Sequence, residues 1–137
     1  MTLFVDTSAF YAAADRGDRS HMRATATLAA GEPLATTDHV LVETWHLIRR
    51  RLSRDAAERF WGAVKSGAVG LEFVGPADLE AAWAIGEAFP DQDFSIVDRT
   101  SFAVMQRLGM HRVATFDDDF AIFRFGERRS RAFEVVR

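Results

Sequence analysis

The chain of 137 residues contains no cysteine. This absence excludes a disulfide-stapled fold, an iron–sulfur cluster, a thiolate zinc site and a cysteine nucleophile. No apolar run approaches the roughly 18 residues of a membrane span, and Asp6 interrupts the first such run, so we expect neither a signal peptide nor a membrane contact. We therefore expect a cytoplasmic protein that folds as one domain over residues 1–137.

Basic residues are also scarce, at 17 against 20 acidic ones, which gives a net charge of -3. The overall positive charge that is typical of nucleic-acid-binding domains is thus missing. All basic residues except Lys65 are arginines, and arginine forms bidentate contacts with phosphate. A cluster in the middle of the chain could form a phosphate-facing patch or simply a solvated helix face. Its members are Arg49, Arg50, Arg51 and Arg54.

Short apolar runs alternate with amphipathic stretches along the whole chain. Strands are predicted at residues 3–5, 33–36, 71–74, 112–116 and 132–136, and helices lie between them. This alternation predicts βαβ units, hence an α/β fold whose parallel sheet of four to five strands is covered by helices on both faces. In such folds, ligands bind at the carboxyl ends of the strands.

Two aspartates follow predicted strands and so occupy this carboxyl edge. Asp6 comes directly after Leu3-Phe4-Val5, where it could also cap the next helix. Asp117 follows the strand that ends at Phe116 and opens an acidic run of three, in which we expect Asp118 to be solvated. The edge therefore has two acids that could serve a ligand.

Two further acids lie at the starts of helices or inside them. Glu43 is surrounded by apolar residues on a predicted helix, so it needs a partner, which could be an arginine or a cation. Asp98 opens the helix at 95–108, where Ser95-x-x-Asp98 is also the pattern of a capping box. Local sequence leaves both alternatives open.

Four carboxylates at one end of a sheet would repel each other. Two unit charges about 4 Å apart cost about 4 kcal/mol at an effective dielectric of about 20. Such a cluster is tolerable when it is partly protonated or occupied by a cation. Oxygen ligands favour Mg²⁺ or Mn²⁺, and such ions serve phosphodiester chemistry.

Four motifs in series resemble the PIN-domain family. They are Val5-Asp6-Thr7-Ser8-Ala9-Phe10, Thr36-Thr37-Asp38-His39-Val40-Leu41-Val42-Glu43-Thr44, Ser95-Ile96-Val97-Asp98 and Ala114-Thr115-Phe116-Asp117. Within this family, the chain is similar over essentially its whole length to the small VapC-type toxin ribonucleases of bacterial type II toxin–antitoxin pairs.

The resemblance implies a three-layer α/β/α fold and an endoribonuclease that depends on Mg²⁺ or Mn²⁺. It implies that Asp6 and Asp98 are the main metal ligands. Glu43 and Asp117 would complete the catalytic cluster, either directly or through water, and Glu43 could also accept a proton. The expected partners are an RNA substrate, a cognate antitoxin and a second copy of the chain.

The resemblance also implies that the hydroxyls of Ser8 and Thr115 border the site. Two further acids could border it on the local sequence alone: Asp93 is a site acid or a turn residue, and Asp119 is a site acid or the cap of residues 120–123. The segment Asp91-Gln92-Asp93-Phe94-Ser95 is similar to toxins that act on structured RNA, such as ribosomal or transfer RNA. The central arginine cluster would then contact RNA.

The sequence disfavours three rival functions. A PIN-like module that binds RNA or protein without cutting is disfavoured, because all four acidic positions are filled. Aspartate-based phosphotransfer needs a lysine beside the phosphoryl group, whereas Lys65 lies in a helical stretch far from any strand end. A DNA or branched substrate is disfavoured by the short length of the chain.

Overall fold

The computed structural model describes residues 1–137 and contains one parallel sheet. The sheet has five strands in the order β3-β2-β1-β4-β5, and every neighbouring pair runs parallel. The strands are β1 (Leu3–Val5), β2 (Leu34–Thr37), β3 (Gly70–Glu72), β4 (Arg112–Ala114) and β5 (Glu134–Val136). The expected parallel sheet of four to five strands is confirmed.

Helices fill the connections between strands and cover both faces of the sheet. They are α1 (Thr7–Ala14), α2 (His21–Leu28), α3 (Asp38–Arg51), α4 (Arg54–Lys65), α5 (Pro76–Ala88), α6 (Ile96–Leu108) and α7 (Asp119–Ile122), followed by a short 3-10 helix (Glu127–Arg129). All three residues of β1 are fully buried, although successive strand residues point to opposite faces. Both faces are therefore covered, which confirms the three-layer α/β/α fold. None of the helices combines the length and the apolar character needed to cross a membrane.

Side-chain caps set where the central helices begin. The Thr37 hydroxyl accepts a hydrogen bond from the backbone N–H of Val40 at 3.0 Å and so caps α3. Asp38 is the first residue of the helix. Its carboxylate accepts a hydrogen bond from the N–H of Val74 at 2.8 Å, which ties α3 to the chain after β3. Helix α6 ends, as expected, at Gly109 in the left-handed conformation, with φ of 68°.

A cluster of phenylalanines packs α6 against the chain between β4 and β5. The rings of Phe102 and Phe123 stack with centroids 4.3 Å apart and an interplanar angle of 8°. Phe120 and Phe133 pack around this pair, and Phe125 contacts Phe133. Phe120, Phe123 and Phe125 are all buried and belong to the core.

The order of the strands creates a crevice beside β1. The chain leaves β1 toward β2 on one side, whereas it leaves β4 toward β5 on the other side. Because β1 and β4 are neighbours, the two connections diverge from their carboxyl ends, and this switch point is where ligands bind in such sheets. The backbone N–H of Asp6 donates to the carbonyl of Ala114 at 3.1 Å, so the two strand ends are held together.

The aromatic cluster allows a test of the core. We expect Phe123→Ala to lower the free energy of unfolding by about 3 to 5 kcal/mol, because it removes a ring that is 2% exposed and leaves a cavity. The matched control is Phe73→Ala, which truncates a side chain that is 68% exposed and should change stability by about 0.5 kcal/mol or less. Urea denaturation of both variants measures the difference, and equal losses would contradict this account of the core.

Candidate metal centre

Asp6 lies at the carboxyl end of β1 and points its side chain into the crevice. It is the residue before α1, but its carboxylate makes no capping hydrogen bond to that helix. Instead Oδ2 accepts hydrogen bonds from the Thr115 hydroxyl at 3.0 Å and the Ser8 hydroxyl at 3.3 Å. The carboxylate is nearly fully buried. A simple capping role therefore does not describe Asp6.

Ser8 and Thr115 form a hydroxyl pair that joins the ends of β1 and β4. Their oxygens are 3.1 Å apart. The Ser8 oxygen accepts from the N–H of Phe116 at 2.9 Å, and the Thr115 oxygen accepts from the N–H of Asp117 at 3.0 Å. These bonds fix the backbone of the segment after β4 relative to Asp6. Both hydroxyls also contact the Asp6 carboxylate.

Asp98 takes part in the capping box of α6 and also belongs to an acidic cluster. The Ser95 hydroxyl accepts from the N–H of Asp98 at 3.0 Å, and Asp98 Oδ2 accepts from the N–H of Ser95 at 3.2 Å. Carboxylate oxygens of Asp98, Asp117 and Asp119 also lie within 4.8 Å of one another. The capping interpretation and the cluster interpretation thus both hold, because the cap orients the same carboxylate that faces the crevice.

Two acids of the run after β4, Asp117 and Asp119, lie in the site, and the third, Asp118, faces solvent. Asp117 Oδ1 accepts from the N–H of Asp119 at 2.9 Å, and this turn brings the Asp119 side chain back toward Asp98. Asp118 is exposed, as expected, and pairs with Arg137 at 3.0 Å. Sequence reasoning treated Asp119 as a bordering residue. The two-residue spacing from Asp117, typical of an Asx turn, is the signal for its closer placement.

Glu43 is half-buried on α3 and faces α1. Its Oε1 accepts a hydrogen bond from the Thr7 hydroxyl at 2.6 Å. No ion pair in the chain includes Glu43, so the arginine partner that the sequence allowed is not what the structure shows. Thr7 had not been singled out from the sequence. Its position directly after Asp6, at the start of a helix, is the only hint of this contact.

Burial and mutual repulsion raise the pKa of the central acids. The pKa of Asp6 rises to about 6, mainly because burial removes water from the carboxylate, and the charges of Asp117 and Glu43 add to the rise. Burial also raises the pKa of Asp98 to about 8, together with its hydrogen bond to Asp119 and the charges of Asp6 and Asp117. The pKa of Asp119 is raised, again chiefly by burial.

The donor set fits a divalent cation. It consists of carboxylate oxygens without sulfur or imidazole, which is the set that Mg²⁺ and Mn²⁺ prefer. None of the acids in the cluster forms an ion pair with a basic side chain of the chain. Negative charge that is buried and unpaired in this way is stabilised by a bound cation or by protons. We call the five acids of this crevice the acid cluster, and they are Asp6, Glu43, Asp98, Asp117 and Asp119.

The other residues that the sequence analysis named, Asp93 and the four central arginines, are not members of the acid cluster. Asp93 is exposed and lines a separate cavity of about 230 Å³ with Trp83 and Arg99, and no hydrogen bond or ion pair joins it to the cluster. The four arginines also differ. Arg54 pairs with Glu58 on its own helix at 3.5 Å, whereas Arg51 lines a cavity that Ser8 also lines. Arg49 and Arg50 are exposed at the end of α3 and form no ion pair.

The raised pKa values predict how stability depends on pH when no metal is bound. A carboxylate whose folded pKa lies above its usual value stabilises the fold at low pH, and this contribution is lost as the pH rises through the folded pKa. The usual value is 3.8, so the free energy of unfolding should fall between about pH 4 and about pH 8. Asp98→Asn carries no charge for burial to penalise, and each pKa unit corresponds to about 1.4 kcal/mol, so this variant should recover more than about 1 kcal/mol at the upper end of this range.

Urea denaturation in EDTA at about pH 5 and about pH 8 measures this effect. Asp118→Asn is the matched control, because it removes the same charge between two acids of the cluster, Asp117 and Asp119, at a side chain that is 80% exposed. We expect the control to keep the pH dependence of the unsubstituted protein. If Asp98→Asn kept it too, Asp98 would not be the source.

Comparisons with known proteins agree with this architecture. Residues 3–126 match the PIN domain family. Over 129 residues, the chain is 40% identical to a Mycobacterium tuberculosis protein named 23S rRNA-specific endonuclease VapC20, and the alignment covers 93% of this chain and 98% of the relative.

Solved structures show the same fold. The crystal structure of M. tuberculosis VapC20, described as a sarcin–ricin loop cleaving toxin, superposes with a TM-score of 0.83 at 36% identity and covers 88% of this chain and 93% of that one. A toxin–antitoxin complex from Klebsiella pneumoniae has a TM-score of 0.64 at 15% identity, with 85% and 88% of the two chains covered, and shares the fold alone. The chain therefore belongs to the PIN-domain family and, within it, to the VapC group.

Proposed function

We propose that this chain is a divalent-metal-dependent endoribonuclease, which hydrolyses phosphodiester bonds of structured RNA and acts as the toxin of a toxin–antitoxin pair. The observation that carries the proposal is the acid cluster at the carboxyl ends of β1 and β4, in which buried carboxylates lie together without a basic partner. The similarity to VapC20, a relative named as a ribosomal RNA endonuclease, supports the choice of RNA.

The metal ligands of this proposal are the acids at the centre of the crevice. Asp6 and Asp98 would hold Mg²⁺ or Mn²⁺, while Glu43, Asp117 and Asp119 would complete the site directly or through water. The bound ion would neutralise charge on the phosphate and make water more acidic. The difference in burial supports these separate roles. Asp6 and Asp98 are the buried members of the cluster, and the other three acids are half-buried.

The chain's own hydrogen bonds would orient the reacting groups. The hydroxyls of Ser8 and Thr115 fix Asp6 from one side, and the capping box fixes Asp98 from the other. Glu43 is half-buried, and its Oε1 is occupied by the Thr7 hydroxyl, while Oε2 has no hydrogen-bond partner in the chain. We propose that Oε2 accepts the proton of the attacking water, as general base.

The substrate of the proposal is structured RNA such as ribosomal or transfer RNA, and a substrate of this kind places the reaction in the cytoplasm. VapC20 is named as a 23S rRNA-specific endonuclease, and the similarity spans nearly the whole of both chains. Ribosomal RNA is therefore the first substrate to test.

The proposed protein partners are a cognate antitoxin and a second copy of the chain. Large apolar side chains are exposed on the helices, and patches of this kind are typical of protein-binding surfaces. They include Val42, Trp61, Trp83 and Ile96. The likeness to a toxin–antitoxin complex supports the antitoxin as partner.

The rival phosphotransfer mechanism requires a lysine beside the acids, and Lys65 does not lie there. Lys65 is the last residue of α4 and is exposed. Because α4 leads into the start of β3, its end lies at the amino edge of the sheet, opposite the acid cluster. The module that binds RNA without cutting it remains the alternative that the experiment must separate.

RNA cleavage by the purified chain, freed of any partner, tests the proposal. We expect cutting of intact ribosomes, or of an RNA hairpin with the sarcin–ricin loop sequence, in Mg²⁺ or Mn²⁺ and none in EDTA. Asp98→Asn should reduce the rate about 100-fold or more, the scale of losing one group that stabilises a transition state, while its retained amide oxygen can still cap α6.

Asp118→Asn is again the control and should cut like the unsubstituted protein, because its side chain faces solvent. Cutting that persists in EDTA or in Asp98→Asn would refute the mechanism. If no RNA is cut, intact ribosomes included, but RNA still binds, the binding-module alternative replaces it.

A further inference from the structure

A cavity of about 240 Å³ adjoins the acid cluster on the side of α1 and α3. It opens between these helices, the chain just before α2 and the segment after β4. The residues that shape it are Ser8, Tyr11, Arg19, Leu47, Arg51 and Phe116. Its size suits one nucleotide of an unpaired strand.

Ser8 lines the cavity and also contacts Asp6 of the acid cluster. Its hydroxyl lies 3.3 Å from Asp6 Oδ2, and its oxygen accepts from the N–H of Phe116, a half-buried ring on the cavity wall. A polymer whose cleaved bond lies at the acid cluster would thus place an adjacent residue in this cavity.

Arg51 presents an oriented guanidinium there, next to Tyr11 and in the field of the Asp15 carboxylate. Its charged group lies over the ring of Tyr11, 5.2 Å from the centroid, and Tyr11 is itself buried and donates to Asp15 at 2.6 Å. Arg51 forms no ion pair, in contrast to Arg54 and Arg112, which pair with glutamates. Its contact with Tyr11 leaves most of its five N–H groups available, and a guanidinium oriented in this way is suited to bidentate contact with phosphate.

Two arginines and one aspartate, Asp18, are the charged residues that line the cavity. Arg19 supplies a second exposed guanidinium that forms no ion pair. Asp18 also lines the cavity, but its Oδ1 accepts a hydrogen bond from the N–H of Ser20 at 2.8 Å. Since the protein has a net charge of -3 and concentrates carboxylates at the acid cluster, a polyanion needs local cations at this point.

We infer that this cavity is a nucleotide subsite for the RNA strand next to the cleaved phosphodiester. Arg51 and Arg19 bind its phosphate, while Phe116 and Leu47 contact the ribose and base. The inference rests on the proposed ribonuclease function and names residues that this function alone does not require.

Binding of a labelled RNA hairpin with the sarcin–ricin loop sequence tests the subsite without cleavage when Asp98→Asn is the background. Added Arg51→Ala or Arg19→Ala should weaken binding about tenfold, the worth of one charged hydrogen-bonded contact. Each should also reduce the slope of log Kd against log salt concentration by about 0.7, as expected for one lost phosphate contact on a single strand. Arg51→Lys keeps the charge, so it should restore the salt slope while affinity recovers only in part.

Arg59→Ala is the control for the loss of an exposed helical arginine. Arg59 lies on α4, lines a different cavity and forms no ion pair, so both affinity and salt slope should stay unchanged. Denaturation midpoints of all variants verify that they fold equally well. In the active protein, Arg51→Ala should raise KM more than it lowers kcat.

The outcomes separate the subsite from the proposed function. If the active protein cuts RNA but Arg51→Ala and Arg19→Ala bind like Arg59→Ala, the subsite is refuted and the ribonuclease function stands. If RNA binds through Arg51 but is never cut, the subsite stands and hydrolysis is refuted. If the chain neither binds nor cuts RNA, both are refuted.

Discussion

Mutual repulsion among buried carboxylates is the constraint on which the rest of the site depends. Asp6 and Asp98 are buried beside Asp117 and Asp119, and burial together with neighbouring charge raises the pKa of both. Left alone, such side chains would turn away from one another toward water. They stay together because local hydrogen bonds hold them in place. The free energy that this arrangement costs is offset when a cation or protons enter, and this gives the site its affinity for positive charge.

The fold supplies the rigid frame that this repulsion requires. The ends of β1 and β4 are tied by the bond from Asp6 N–H to the Ala114 carbonyl and by the hydroxyl pair of Ser8 and Thr115. On the other side, the capping box starts α6 at the point where its carboxylate faces the crevice. Stacking between Phe102 and Phe123 then anchors α6 to the chain that follows β4. One set of contacts thus serves both stability and the placement of charge.

A protein with a net negative charge repels the phosphates of RNA, so binding of RNA depends on where its arginines lie. Several arginines are neutralised by acidic neighbours, as Arg107 is by Asp78 at 2.9 Å. Others form no ion pair. Among these, Arg51 is oriented by Tyr11 beside the acid cluster. Local charge next to the site, rather than net charge, therefore decides how a phosphate chain can approach.

Local patterns in the sequence determined the alternation of strands and helices, the capping box of Ser95 and Asp98, and the solvent-facing position of Asp118, because each depends on neighbours a few residues away. The family motifs likewise contain four of the five acids of the crevice, all except Asp119. Only the tertiary structure decided that Glu43 bonds to Thr7 rather than to an arginine, that Asp119 lies beside Asp98, and that Arg51 lines the cavity next to Ser8 while Arg54 does not. These contacts join residues that are far apart in the chain or select among equivalent neighbours on one helix. They depend on the order of the strands and on how the helices dock, which no local pattern encodes.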